Sequence, residues 1–318
     1  MIVQLAKQSD NMLYDITQMV EDVSWSGSLE SVARTADVAI INAPYDCNIS
    51  SLPRPITGDY ITLAMGSGEI FTGRIYGIEK TSEYGTVTVN CIDNLQYLLK
   101  SKGRYNFKNT TAEAITTKVL ADIQFPMGDL IITGINIKSM LCQSDTVYDI
   151  ITNAYAHAHK VTGKSYQCKL VEGKLSVLER GGIVSGYRLS DELNITKTSF
   201  TESTESIVNK VKIYDKKGQQ VGEVTDEESI KTYGLFTDIY EVEDGINPNM
   251  MAKTMLYPPE QTLSLEAIGD MNCISGYGVT VEDGSTGMRG VYMIKSDNHE
   301  FKGDIHTMQL ELDFMYVE

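Results

Sequence analysis

The sequence predicts a mainly β fold with an α/β insertion. Three observations carry this: alternating apolar runs broken by glycine turns at both ends of the chain, a middle stretch with apolar residues at helical spacing, and an internal repeat that links the two ends. At 318 residues the chain exceeds what one hydrophobic core usually spans, so more than one domain is expected.

The first part, residues 1–100, reads as a meander of short strands. Ile2-Val3-Gln4-Leu5 opens it, and Val23-Ser24-Trp25-Ser26-Gly27 follows. Ala36 to Ile41 alternates toward a buried face. Pro44, Pro53 and Pro55 mark a loop. Tyr60 to Met65 then runs into the Gly66-Ser67-Gly68 turn, Ile70 to Ile78 continues, and after a turn at Glu83-Tyr84-Gly85 comes Thr86 to Cys91.

Residues 101–185 change character. Thr111 to Ile123 and Ser144 to Ala156 carry helical spacing behind capping residues. Tyr166 to Leu170 and Lys174 to Leu178 flank Glu172-Gly173 as a hairpin. Residues 186–318 return to β, with a strand at Val208 to Tyr214 and a helical, charged excursion at 226–257.

The repeat pairs Gly58 to Asp93 with Gly276 to Asp313. Each copy runs strand, glycine turn, glycine-led strand with Tyr, second turn, long alternating strand. Gly73-Arg74-Ile75-Tyr76 and Gly290-Val291-Tyr292 lead the matching strands, so Gly73 and Gly290 are expected at equivalent positions and the two segments are expected to superpose.

Composition narrows the function classes. Apolar residues at 42% and charged residues at 22% are globular values. A net charge of −16 disfavours phosphate backbones, so no sequence-specific nucleic-acid binding is expected. The N-terminus has neither a basic nor an apolar leader region, so no signal peptide is expected, and no apolar run is long enough to span a bilayer. Cys47, Cys91, Cys142, Cys168 and Cys273 are scattered and odd in number, which argues against a disulfide framework or zinc site.

Local motifs offer little chemistry. Gly66-Ser67-Gly68 lacks the lysine and hydroxyl of a phosphate loop and reads as a hairpin turn. His157 and His159 stand at i,i+2, which puts them on different helical faces. His299 and His306 lie in the last meander without a carboxylate or cysteine at ligand spacing, and His306 reads as a surface or half-buried strand residue. Glu21-Asp22, Asp226-Glu227-Glu228 and Glu241-Val242-Glu243-Asp244 read as solvated faces. Asn48, Asn109 and Asn194 match the glycosylation pattern, which has no meaning without a secretory signal. We therefore assign no catalytic, cofactor-binding or metal-ligating residue and expect no cofactor.

Taken in order over the chain, several segments match one family. They are the run ending Asn90-Cys91-Ile92-Asp93-Asn94-Leu95, the helices opening at Thr111 and Ser144, the hairpin at Glu172-Gly173-Lys174-Leu175, and the strand entry Ser206 to Val211. Leu263 to Gly269, Cys273-Ile274-Ser275-Gly276, Ser296-Asp297-Asn298-His299 and Thr307 to Leu312 complete the set. In these the chain resembles the XkdQ/YqbQ-like tail proteins of Gram-positive phages and defective prophages. Those are related to the late control protein D and contractile-tail baseplate hub family, and more distantly to the hub part of VgrG spikes.

The resemblance implies two tail-tube-like β-barrels plus a small α/β domain. It implies a structural, non-enzymatic hub that adapts a hexameric tail tube to a trimeric central spike in a contractile phage tail or phage-tail-like bacteriocin. The implied partners are two further copies in a homotrimer, the tail tube protein, the central spike, other baseplate proteins of the LysM and wedge types, and the tape-measure protein. Six barrels from residues 1–100 and 186–318 would form the ring, with 101–185 outside it or toward the spike. The implied location is the host cytoplasm during assembly and then the particle baseplate. Family members that cleave peptidoglycan carry an added hydrolase domain, which is not expected here. The alternatives are a peptidoglycan hydrolase of the same particle and a carbohydrate-binding β protein, the latter resting only on Trp25 and the eighteen tyrosines. Part of the negative charge is expected on the channel wall, where it would repel DNA.

Overall fold

A computed structural model describes residues 1–43, 53–66, 68–80, 85–242 and 247–314. The protein is mainly β with an α/β insertion, and it divides into two compact units, 1–198 with 265–318 and 199–264.

The larger unit opens with β1 (Ile2–Lys7), β2 (Met12–Asp15), β3 (Val20–Ser28), β4 (Thr35–Ile41), β5 (Tyr60–Met65), β6 (Gly68–Lys80) and β7 (Thr86–Asp93). Every second residue of β7 is buried, as strand periodicity requires for a sheet with one wet face. Val3, Val23, Val38, Leu63, Ile75 and Val89 from six of these strands meet in one core, which a flat sheet could not achieve. Cys47, Pro44, Ser67, the Glu83-Tyr84 turn and Asn48 lie outside the described residues.

The insertion follows as α1 (Leu95–Lys100), β8 (Lys102–Thr110), α2 (Ala112–Asp122), β9 (Met127–Leu130), β10 (Ile137–Thr146), α3 (Val147–Thr162), β11 (Tyr166–Val171) and β12 (Lys174–Glu179). Its core joins Leu95 and Leu98 of α1 to Ile115, Val119, Ile150 and Ile151. Helix α3 starts at Val147 and not at Ser144. Thr146 is its cap and accepts from the Asp149 amide, while Ser144 sits at φ 119°, outside helical space. Glu172 and Gly173 turn the β11–β12 hairpin with φ 49° and 70°, the left-handed pair that a two-residue hairpin turn demands.

The chain then forms β13 (Ile183–Ser190) and β14 (Ile195–Ser203). The smaller unit holds β15 (Lys210–Tyr214), β16 (Gln220–Thr225), α4 (Glu227–Tyr233), β17 (Thr237–Glu241) and α5 (Pro248–Thr254). The expected excursion at 226–257 is longer in the structure, and it includes a strand. The strand expected at Val208 to Tyr214 belongs to a separate three-stranded sheet, β16-β15-β17, with its own core of Val211, Ile213, Tyr240 and Ala252. Four further strands follow among the described residues: β18 (Glu260–Ile268), β19 (Gly278–Glu282), β20 (Arg289–Lys302) and β21 (Ile305–Phe314).

Strand order makes the repeat visible. The first copy runs β3-β4-β7-β6-β5 and the second β14-β18-β21-β20-β19. Register agrees as well. The Gly58 amide donates to the Ile75 carbonyl at 2.9 Å, and the Gly276 amide donates to the Ile294 carbonyl at 2.9 Å. Both glycines have positive φ, 99° and 90°. Ile75 pairs with Cys91 and Ile294 with Leu312, and each is followed by a one-residue bulge.

This register corrects one expectation. Ile61 pairs with Gly73 as Val279 pairs with Tyr292, so Gly73 corresponds to Tyr292 and Gly290 to Phe71. The error is two residues, one strand period, and the sequence pattern reads the same on either choice. The turn between β3 and β4, residues 29–34, corresponds to residues 204–259 between β14 and β18, where most of the smaller unit is inserted.

Candidate functional site

The two repeats meet in the larger unit along a single strand pair. One edge of β20 is paired with β21 from Tyr292 to Lys302, while the other pairs with β19 over Arg289 to Met293 and then with β3 over Ser296 to Lys302. The two repeats thereby become one continuous sheet.

A polar cluster sits on this seam. Trp25 and His299 face each other in register, with ring centroids 5.0 Å apart. Arg34, from the turn after β3, holds both carboxylate oxygens of Asp297 through Nη1 and Nη2, a bidentate geometry suited to guanidinium. The Arg34 guanidinium also lies 4.0 Å over the Trp25 ring. Asp297 accepts a further bond of 2.7 Å from the Ser275 amide. A Cβ at Gly27 would stand 2.4 Å from Arg34 Nη1, so any larger residue there would displace the guanidinium from its place.

His299 is fully buried. Its Nδ1 meets His306 Nε2 at 3.0 Å and its Nε2 lies 3.1 Å from the Cys273 carbonyl. Burial pushes its pKa down to about 4, against the pull of Asp297. The imidazole is therefore neutral near pH 7. His306 is also shifted down by burial, and it stacks on Phe301 at 4.1 Å.

Beside the cluster, Asp93 accepts from the amides of Arg34 and Leu95, tying the seam to the start of the insertion. Burial raises its pKa to about 6, despite these bonds and the nearby Arg34 charge. Lys169 of β11 is pushed down to about 8 by burial and then by Arg34, and its Nζ lies 4.9 Å over the Tyr277 ring. These groups border a cleft of about 860 Å³, lined among others by Trp25, Arg34, Tyr148, Lys169 and Ser275.

The chemistry of the arrangement is that of a clamp. The buried carboxylates are saturated with donors: Asp297 by Arg34 and Ser275, Asp93 by two amides, Asp59 by the amides of Gln8 and Ile56, and Asp283 by Ser285, Thr286 and Thr198. The Cys273 thiol, adjacent to His299, is pushed up to about 12 by burial, so it is not an activated nucleophile. Among the described residues no three His, Cys, Asp or Glu side chains gather at metal-binding distance, and no helix is long and apolar enough to cross a membrane.

The other motifs stand apart from this seam. His157 and His159 are exposed near the end of α3 on either side of buried Ala158. Asp226 caps α4 by accepting from the Ser229 amide, while Glu243 and Asp244 lie outside the described residues. Sequence reading assigned no role to Arg34 or Asp297 and did not foresee the burial of His299, while His306 is half-buried in its strand, as expected. One signal was available: Asp297 and His299 share strand parity with Phe301, which places all three on the apolar face.

The profile of the YQBQ-like family matches residues 23–313. The protein YqbQ of Bacillus subtilis strain 168 is 28% identical over 304 residues, covering 92% of each chain. The phage-like element PBSX protein XkdQ of the same strain is 28% identical over 313 residues, again covering 92% of each. Among solved structures, the 43 kDa tail protein of prophage MuSo2 from Shewanella oneidensis has the same fold, with a TM-score of 0.71, 15% identity and 98% of each chain covered.

Proposed function

We propose, from the premise that this chain belongs to the YQBQ-like family, that it is the hub of a contractile phage tail or phage-tail-like bacteriocin. Its similarity to phage tail proteins supports a role among tail and baseplate structural components. The finer reading is an adaptor between a sixfold tail tube and a threefold spike. One observation carries it: the chain holds two copies of one β repeat with the same strand order and register, joined by a strand pair. Three such chains offer six repeats, the number a sixfold tube needs from its neighbour, and closed rings are the usual form of a homo-oligomer.

The role proposed is structural. The clamp at the seam supports this, since its ionisable groups are consumed in holding two repeats and the insertion together. Tail tube protein, spike, tape-measure protein and the LysM-type and wedge baseplate proteins are the proposed partners. Assembly in the host cytoplasm and residence in the baseplate follow from the same reading, and so does a functional division into 1–100, 101–185 and 186–318. Cryo-electron microscopy of assembled tails tests it. Three copies in one ring between tube and spike are expected, whereas six copies, or a place in the sheath or fibres, would reject the proposal.

A further inference from the structure

The edges of β20 and β3 are paired at the seam, while the corresponding edges of β6 and β14 have no strand partner among the described residues. Strand β20 corresponds to β6 and β3 to β14, by strand order for both pairs and by register for β20 and β6. Within one chain, the edge of β20 over Ser296 to Lys302 is taken by β3. The corresponding stretch of β6 starts at Gly77. Its far edge pairs with β7, but its near edge, beyond the last β5 partner at Arg74, has no strand over Gly77 to Lys80 among the described residues. Likewise β3 lies between β4 and β20, whereas β14 pairs with β18 and ends the strand path.

Burial agrees with this asymmetry. Only Glu21 of the nine β3 residues is exposed, while six of the nine in β14 are. An edge strand left open in this way is a template for another chain, and proteins that do not use such an edge usually block it. No proline stands in β6 or β14 to do so, and each carries a single lysine, Lys80 and Lys197.

We infer that β14 of a second copy of this chain pairs antiparallel with Gly77–Lys80 of β6, reproducing between copies the β3–β20 seam found within one. The inference rests on the hub reading for the supposition that copies meet side by side. The contact is head-to-tail, with different surfaces on the two partners, so it closes only as a ring. Its chemistry differs from that of the internal seam. Ile78 stands where Asp297 stands, and Lys80 where His299 stands, so the Arg34 ion pair and the buried histidine are not repeated. Backbone hydrogen bonds carry the junction between copies. It is therefore weaker than the seam inside the chain, and it forms on assembly.

Cysteine pairs read this directly. Assembled tails carrying Glu79→Cys combined in turn with Lys197→Cys, Ser199→Cys or Thr201→Cys are oxidised mildly and run on a non-reducing gel. Opposed residues of an antiparallel pair lie roughly 4.5–5.5 Å apart at Cα, within disulfide reach. At least one pair should give covalent species at two and three times the chain mass that each single variant lacks. Ser26→Cys with Asn298→Cys, opposed in the internal seam, should close within one chain and serves as reference. Failure of all three pairs, with three copies still counted per tail, overturns the interface and leaves the hub reading intact. A copy number other than three overturns the hub reading, whatever the gel shows. If the variants do not assemble, hydrogen exchange on the unaltered protein decides. Amides of Gly77–Lys80 and Ile195–Ser203 should exchange roughly tenfold or more slowly in tails than in the free chain. Unchanged exchange overturns the inference.

Discussion

At the scale of single residues, the Arg34–Asp297 pair is the most consequential contact, because Asp297 has a fully buried side chain. Arg34→Ala would leave that carboxylate without its cation, and removing one partner of a buried pair costs about 3–5 kcal/mol. Urea denaturation should show that loss. The double variant Arg34→Ala/Asp297→Ala should lose less than the sum of the two single losses. Two neighbouring groups oppose each other in pH. His299 is lowered to about 4, so the unfolded chain binds the extra proton between there and 6.5, and stability falls as pH drops through that window. Asp93 is raised to about 6, so the folded chain binds the extra proton above 3.8, and stability falls as pH rises through 6. Each shift corresponds to about 3 kcal/mol at its limit. The unaltered protein should therefore change little in stability between about pH 4 and 6, as far as these two groups decide it. His299→Gln should expose a decline with rising pH, and Asp93→Asn the opposite slope, both measured by denaturation at fixed pH values.

At the scale of elements, parity explains what was readable. Ala36, Val38 and Ile40 alternate with polar or half-exposed neighbours, and they face the core as the pattern predicts. Strand β8 alternates too from Lys102 to Phe107, with Gly103, Tyr105 and Phe107 on the inner face, although only Phe107 is buried. Its pairing with β10 is a matter of backbone bonds and a long-range partner, which local periodicity does not encode. Gly73 and Gly290, though not equivalent, differ in a testable way. A Cβ at Gly73 would stand 2.9 Å from the Ile92 carbonyl and closer still to Phe71, and the backbone carbonyl cannot turn aside. Gly73→Ala should therefore cost about 1–3 kcal/mol in thermal or chemical unfolding. Thr146→Ala should cost about 1 kcal/mol, the usual value of an N-cap hydroxyl.

At the scale of the whole molecule, the smaller unit replaces a turn. Residues 204–259 occupy the position that residues 29–34 occupy in the first repeat, and the smaller unit has its own sheet and core. Replacing 204–259 by a six-residue turn should leave the larger unit folded, with its native-like near-ultraviolet circular dichroism retained. The net charge of −16 makes a second prediction at this scale, under the hub proposal. The channel wall of the assembled ring should be acidic and so repel passing DNA. A neutral or basic lumen in a cryo-electron microscopy map, with the acid on the outer face, would contradict it.

The sequence by itself determined the mainly β character, the helices of the insertion and the existence of two related β segments. All of these are expressed in short-range periodicity, capping and glycine turns that each segment carries alone. Only the tertiary structure decided the register of the repeat, because a two-residue shift preserves every inward and outward face. It also decided which strand lies beside which. The β3–β20 seam joins residues more than 260 positions apart through Arg34 and Asp297, and it buries a charge that composition would place at the surface. A buried ion pair becomes tolerable only when a distant partner and a desolvated geometry arrive together, and no local pattern announces that.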